Sequence, residues 1–428
     1  MECNLEIFAD GVWSACATVS VPEPQKGGLQ GRAYLEYELD YAFSNETRAA
    51  LRFPVDAELH VLNSWPAFVY DLIPQGSGRK YLLSRLGLAD NASADFALLC
   101  AGAFNPIGRL RVRQAVDYFE QHVGAHLAGA LGASFTLAQL VARDDAFHEN
   151  MLVFGMLATG TTGVQGAAPK YLLTRGHDGR WHADGALPDA HAAAHYIVKL
   201  PRGKQEVDRK VLRNEAAYMR VAQAVGVRTH GTIEQHGDML FIPRFDRVVA
   251  NGAVLRLHQE SAASIAGIVG FDHRPGQFAL LYALRSVVSD PLVETIEFMK
   301  RDVLNLAMRN TDNHARNTAV QQLGTGEVRL TPLFDFGPMY LDPEGIARAA
   351  RWYDGEKREL RDWSAVLAEL DASPAELEKI AAALREYAAE IARLPHTMRD
   401  AGVDDDIVAH VLPSIHEQTR QLRELKAP

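Results

Sequence analysis

The chain is poor in the features that mark several specialised classes. Its 428 residues include three cysteines, Cys3, Cys16 and Cys100, at neither pairing nor metal-ligand spacing. That argues against a disulfide scaffold or a zinc site and suits a reducing compartment. Basic charge is in deficit, with 44 Lys+Arg against 54 Asp+Glu and a net charge of −10. Autonomous DNA binding needs clustered positive charge to neutralise phosphates, so none is expected. Convincing membrane spans are missing too. Residues 123–142 and 150–169 carry no acidic or basic side chain. The first is interrupted by His126, Ser134, Thr136 and Gln139, and the second is thick with Gly and Thr around 159–166. Neither is apolar enough to span a bilayer. Met1-Glu2-Cys3-Asn4 lacks the basic and apolar segments of a signal peptide, so a cytoplasmic protein without a membrane partner is expected. Internal repeats and low-complexity tracts are absent.

The composition is ordinary for a globular chain, 47% hydrophobic and 23% charged. At roughly 100–200 residues per domain, the length predicts two or three domains. The first hundred residues read mostly as short strands and turns, including 5–9 and the alternating 34–39. Helical spacing covers 112–141. Strands follow at about 169–174 and 195–200, joined by a polar hairpin or loop over 175–194. A helix is predicted over 207–225, stopped by Gly226, and then a strand over 239–245. Beyond about residue 256 the pattern is mainly helical. Ser373-Pro374-Ala375-Glu376 marks one helix start there, with an N-cap serine and a capping-box glutamate.

Five elements carry chemistry. After a predicted helix over 292–309 comes Asn310-Thr311-Asp312-Asn313-His314-Ala315-Arg316-Asn317. Its Asp-x4-Asn spacing is that of a kinase-type catalytic loop, where the Asp orients or deprotonates a hydroxyl and the Asn oxygen is a hard ligand for Mg²⁺. By itself this spacing also fits a polar turn. Leu333-Phe334-Asp335-Phe336-Gly337 follows a strand-like 328–331 and holds the Asp-Phe-Gly tripeptide of protein kinases. Asp335 can complete the metal site begun by Asn317. Upstream, Lys199 is embedded in the apolar Tyr196-Ile197-Val198-Lys199-Leu200, and Glu215 falls on the apolar stripe of the next helix. Each would be costly to bury alone, so a Lys199–Glu215 pair is plausible. Gly160-Thr161-Thr162-Gly163-Val164-Gln165-Gly166 can bring backbone N–H groups close to phosphates, although it is not a Walker A sequence. Finally, Phe241-Ile242-Pro243-Arg244-Phe245-Asp246-Arg247 stands where a hinge between kinase lobes would fall. It reads equally as a buried strand ending in an exposed Arg-Asp-Arg. Singly these signals are modest. Their order is that of a kinase.

The residues resemble the HipA family of serine/threonine kinases, toxins of bacterial toxin–antitoxin pairs. The likeness rests on Gly163-Val164-Gln165 with Pro169-Lys170, Ile197-Val198-Lys199-Leu200-Pro201, Asn214-Glu215, Arg244-Phe245-Asp246-Arg247, the 311–317 segment and Leu330-Thr331-Pro332-Leu333-Phe334-Asp335. Pro66-Ala67-Phe68 to Leu72-Ile73-Pro74 is similar to the family's N-terminal subdomain. The resemblance implies an α+β, protein-kinase-like two-lobe fold. It comprises a β-rich N-terminal subdomain over 1–145, a small kinase lobe over 146–250 and a large all-helical C-terminal lobe over 251–428. It implies ATP and Mg²⁺ as cofactors, Asp312 as catalytic aspartate, and Asn317 and Asp335 as metal ligands. Lys199 would contact phosphates, with Glu215 beside it. The loop Gly163, Val164, Gln165 and Gly166 would cover the phosphates, and Arg244 and Phe245 would flank the adenine. His314, within the same motif as Asp312, joins the nucleotide-contacting set.

The implied substrate is a protein serine or threonine, with aminoacyl-tRNA synthetases as the best-known target class. The implied partner is a small helix-turn-helix antitoxin, through which DNA is reached. Departures stand out. Relatives often carry an autophosphorylated serine in the Gly-rich loop, where this chain has Thr161 and Thr162. Gly166-Ala167-Ala168 looks inserted, and Pro243 removes a backbone donor from the hinge. Two other functions fit the same motifs: a small-molecule phosphotransferase, and a non-catalytic nucleotide-binding partner of an antitoxin or repressor.

Overall fold

Strand pairing between distant segments sets the architecture. The computed structural model describes residues 1–127, 134–143, 170–271 and 273–428. Contacts divide the chain into two units. One comprises Met1–Arg202, His236–His273 and Gln321–Thr325, and the other Gly203–Gln235, Arg274–Val320 and Gly326–Pro428. The sequence reading cuts the chain into three consecutive stretches, whereas both units are discontinuous. The reason is visible in the first unit, where Met239–Pro243 returns after an intervening helix to pair with an earlier strand.

In the first unit, strands β1 (Glu2–Ala9), β2 (Val12–Ser20), β3 (Ala33–Tyr37), β4 (His60–Leu62) and β5 (Leu110–Val112) form an antiparallel sheet ordered β4-β3-β2-β1-β5. Alternation puts Cys3, Leu5 and Ile7 of β1 in the core, each at 0% exposure. Asp10 and Gly11 both have positive φ, which a two-residue hairpin matching the sheet twist requires. Strands and turns do not fill the whole of the first hundred residues. Gly76–Leu86 and Asp95–Gly102 are helices. The second is apolar nearly all round, with Phe96, Leu98, Leu99 and Ala101 buried, so it shows no helical period to read.

A second sheet contains β6 (Lys170–Gly176), β7 (Trp181–Ala183) and β8 (Ala192–Lys199), with β6 between β7 and β8 and Met239–Pro243 on the far side of β8. The expected connection over 175–194 is thus a hairpin, closed by β6–β7 pairs such as Leu173 with Ala183.

The second unit is built on the helices Glu206–Ala224, Pro291–Ala307, Pro374–Asp400 and Asp405–Arg423. Gly226, at φ +76°, follows the first, as its sequence predicts. Ser373 and Glu376 form the expected reciprocal cap on the third. Ile380, Leu384 and Ile391 of that helix and Val411 and Ile415 of the next are all fully buried. Asp290 caps the second helix and Pro291 occupies its first turn, where a missing N–H costs nothing. Among the described residues, no helix is long and apolar enough to cross a membrane.

Candidate active site

The helix Pro291–Ala307 delivers the loop that follows it. The chain leaves through Arg309 in the left-handed region, at φ +55°. Asn310 closes the exit twice: its N–H donates to the Asn305 carbonyl at 2.9 Å, and its side-chain amide donates to Asn305 Oδ1 at 2.9 Å. The loop then fastens on itself. Asn317 N–H donates to the His314 carbonyl at 2.9 Å, and Asn317 Nδ2 donates to the Asp312 main-chain oxygen at 2.8 Å. That second bond fixes which end of the amide is nitrogen, so Oδ1 is the atom left for other work. His314 Nε2 lies 3.6 Å from Asp312 Oδ1, and the Asp312 side chain keeps 19% exposure.

Asp335 arrives on the segment after the short strand Val328–Leu330. This segment is tied on both sides. Arg228 receives the Leu333 N–H on its carbonyl at 2.8 Å and donates from Nη1 to the Leu330 carbonyl at 2.8 Å. Buried Arg301 donates to the Thr331 carbonyl at 2.7 Å. Asp335 itself sits at φ +55°, a conformation that a non-glycine residue rarely adopts and that aims its side chain differently from an ordinary strand position. Phe336 is 1% exposed and packs on Tyr218 with ring centroids 5.3 Å apart. The Tyr218 hydroxyl donates to the Met308 carbonyl at 3.0 Å, linking this packing to the end of the helix that carries the loop.

Asp312, Asn317 and Asp335 thereby line one small cavity of about 30 Å³, together with Asp302, Asn313 and Arg301. Two carboxylates and an amide oxygen are hard donors. They suit Mg²⁺, which is held by few protein oxygens and completes its shell with water or phosphate. Among the described residues there is no group of three or more His, Cys, Asp or Glu suited to a metal.

Two residues of this site escaped the sequence reading. Asn313 donates to the Ala350 carbonyl at 2.7 Å and accepts the Ala349 N–H at 2.9 Å, anchoring the loop to a segment 36 residues on. Asp302 is 2% exposed and accepts from Gln277, Arg348 and Trp352. The inward face of the helix Pro291–Ala307 was its only signal.

In the first unit, Lys199 ends β8 directly opposite Lys170 of β6. Cross-strand partners share a face, so two lysines, each only 6% exposed, stand side by side. Such a pair suits an anionic ligand. Glu215 is 8% exposed and belongs to the second unit.

Arg244 lies where the hinge reading puts it in sequence, but its side chain is turned into the first unit. It is 0% exposed, donating from Nε and Nη2 to Asp246 at 2.9 and 2.7 Å and from Nη1 to Asp184 at 2.6 Å. Arg-Asp-Arg is therefore not an exposed strand end, since Arg244, Asp246 and Arg247 are all buried. Burial alone would raise the Asp184 and Asp246 carboxyls, but Arg244 beside both holds each below the usual carboxylate range. Phe245 is half-buried, and its carbonyl accepts from Gln321 at 2.8 Å. Thr161, Thr162, Gly163, Val164, Gln165 and Gly166 lie outside the described residues.

An α+β chain with an Asp/Asn/Asp cavity in a helical unit defines the class. The sequence model of the HipA-like C-terminal domain matches residues 162–393, and the chain belongs to that family. It is 25% identical over 292 residues to the Sinorhizobium fredii (strain NBRC 101917 / NGR234) protein named "Putative kinase Y4dM". That alignment takes in 63% of this chain and 61% of the relative, so the chain spans less than two thirds of that protein's length. Its fold is that of HipA in the Shewanella oneidensis MR-1 toxin–antitoxin complex of HipA, HipB and operator DNA. The TM-score is 0.62 at 17% identity, over 99% of this chain and 100% of that one.

Proposed function

We propose that this chain is an ATP- and Mg²⁺-dependent serine/threonine protein kinase of the HipA type, acting on a cellular protein and on itself. The observation that carries the reading is the meeting of Asp312, Asn317 and Asp335 at one cavity. In this reading Asp312 orients the attacking hydroxyl and accepts its proton. Asn317 offers Oδ1, its Nδ2 being engaged by the Asp312 main chain, and Asp335 adds the second carboxylate to the metal site. The bound Mg²⁺–nucleotide supplies the transferable phosphoryl group and much of the charge neutralisation. Lys199 and Lys170 meet phosphate charge. His314 keeps its place beside Asp312 at the nucleotide side, and the 244–245 backbone borders the adenine. Thr161 and Thr162, next in sequence to Gly163, are the candidate sites of self-modification.

A protein hydroxyl, with aminoacyl-tRNA synthetases as one target class, is the proposed substrate. A small helix-turn-helix antitoxin is the proposed partner, supported by the HipB and operator DNA in the Shewanella complex. With a net charge of −10, this chain would reach DNA through that partner rather than by itself.

The test is incubation with Mg²⁺-ATP, alone and with cell extract, with phosphosites mapped by mass spectrometry beside Asp312→Ala. Phosphate on Thr161, Thr162 or an extract protein that disappears in the variant is the expected result. Nucleotide binding without transfer would overturn the catalytic reading, and transfer only to a small-molecule hydroxyl would overturn the protein-kinase one.

A further inference from the structure

The loop that carries Asp312 is gripped from outside by the residue next to that carboxylate. An asparagine amide presents a donor and an acceptor side by side, as a peptide group does, so it can pair with a length of backbone. Asn313 does so with a distant segment. Its Nδ2 donates to the Ala350 carbonyl at 2.7 Å, and its Oδ1 accepts the Ala349 N–H at 2.9 Å and the Ala350 N–H at 3.3 Å. Aspartate has the same shape but, when ionised, offers acceptors alone.

The gripped segment is fixed by other groups as well. Arg348 Nη2 donates to Asp302 at 2.6 Å, and its Nε donates to the Ala350 carbonyl at 3.2 Å. The Arg351 carbonyl accepts the Gln277 N–H at 2.8 Å. Trp352 Nε1 donates to Asp302 at 2.8 Å, and the Trp352 carbonyl accepts the Leu360 N–H at 2.9 Å. Asp302 belongs to the helix Pro291–Ala307, which also delivers the loop. Loop and segment are therefore referred to one helix. Asn310 holds the loop ahead of Asp312, through Asn305, and Asn317 holds the Asp312 carbonyl from behind. Asn313 fixes the stretch between these two ties.

We propose that Asn313 is a positioning residue for phosphotransfer. By pairing with Ala349 and Ala350 it sets where Asp312 stands in the cavity, and it acts through Asp312 rather than on nucleotide or substrate. A catalytic group displaced by about 1 Å can cost about 10²-fold in rate. A purely structural role is a poor fit, because Arg348, Gln277 and Trp352 already hold the segment in place. The positioning role rests on the kinase reading, whereas the clamp itself does not.

The test compares the full chain with Asn313→Asp and Asn313→Ala. Single-turnover transfer from radiolabelled Mg²⁺-ATP, to the chain itself or to extract protein, gives the rate. Calorimetry with Mg²⁺ and the non-hydrolysable analogue AMP-PNP gives nucleotide affinity, and hydrogen exchange reports the two segments. Both variants should transfer about 10–10²-fold more slowly. Their analogue affinity should stay within about threefold of the parent. Their melting temperatures should stay close to the parent's, and exchange should quicken in both 310–317 and 348–352. Should the alanine variant not fold, the isosteric aspartate carries the test. An active parent with an equally active Asn313→Asp overturns the positioning role and leaves the kinase reading intact. A loss confined to analogue affinity overturns it too, making Asn313 a nucleotide contact. A parent without transfer overturns the kinase reading and this role with it. Unchanged exchange in both segments overturns the clamp.

Discussion

Two carboxylate sites, one in each unit, are held in opposite ways. In the first, Asp184 and Asp246 are each 3% exposed at the side chain and lie among Arg244, Arg247 and His195. Asp246 also accepts the Gly108 N–H at 2.8 Å, and Asp184 accepts from Asn105 and Thr174. The Arg244–Asp184, Asn105–Asp184 and Gly108–Asp246 contacts join one strand or turn to another. In the second, Asp312 keeps 19% exposure beside a cavity, and asparagines of its own loop brace that loop. Charge enclosed by arginines on all sides holds a fold together. A carboxylate that lines a cavity, on a loop braced from behind, stands where a ligand can reach it.

The largest expected contrast comes from removing one carboxylate of each kind. Asp312→Asn should lower phosphotransfer by about 10²–10⁴-fold while leaving the melting temperature near that of the parent. Rate and melt measured on one preparation check this, and a comparable loss of stability would erase the distinction. Asp246→Ala should do the reverse. It leaves Arg244 with Asp184 alone and takes the carboxylate from Arg247 in the interior, and should cost about 3–5 kcal/mol by denaturant titration. Loss of transfer without loss of stability would instead make this network part of the active site.

Acid should weaken the first unit further. Asp184 and Asp246 titrate below their ordinary range because Arg244 overcomes the cost of burial, so their contribution is present above the usual carboxylate pKa and is lost as pH falls through the lowered values. His258 acts in the same direction at higher pH. Burial lowers it despite Glu260 at 3.2 Å, so the folded chain favours the neutral ring and loses stability as pH drops below the ordinary histidine value. Melts from pH 8 down to 2 should show a first loss below the ordinary histidine value, from His258, and a second below the ordinary carboxylate value, from Asp184 and Asp246, with hydrogen exchange in β6 and β8 reporting the first unit. Greater stability at pH 5 than at pH 8 would reverse the sign. The smallest effect is expected at Ser373→Ala, which removes one cap at about 1 kcal/mol and leaves transfer unchanged.

Several features were open to a reader of the chain alone. Gly226 after its helix, the Ser373–Glu376 cap and the Asp312 to Asn317 loop all depend on groups within a few residues of each other, where spacing determines geometry. The direction in which Arg244 points could not be read that way. Arg-Phe-Asp-Arg reads as a surface strand end until Asp184, sixty residues earlier, is seen to meet it. The helix Asp95–Gly102 is hidden for a different reason, since a run buried on nearly every side has no period.

By itself, the order of residues determined the family, the α+β character and the candidate acid, amide and metal-binding groups, because short-range chemistry is written in neighbouring side chains. Only the tertiary structure decided that Asp335 joins Asp312 and Asn317 at one cavity, that Lys170 stands beside Lys199, and that Asn313 ties the loop to Ala349 and Ala350. Those pairings span from 18 to 37 residues of chain. They are set by sheet register and by packing around buried groups such as Asp302 and Phe336, and local sequence pattern carries no record of either.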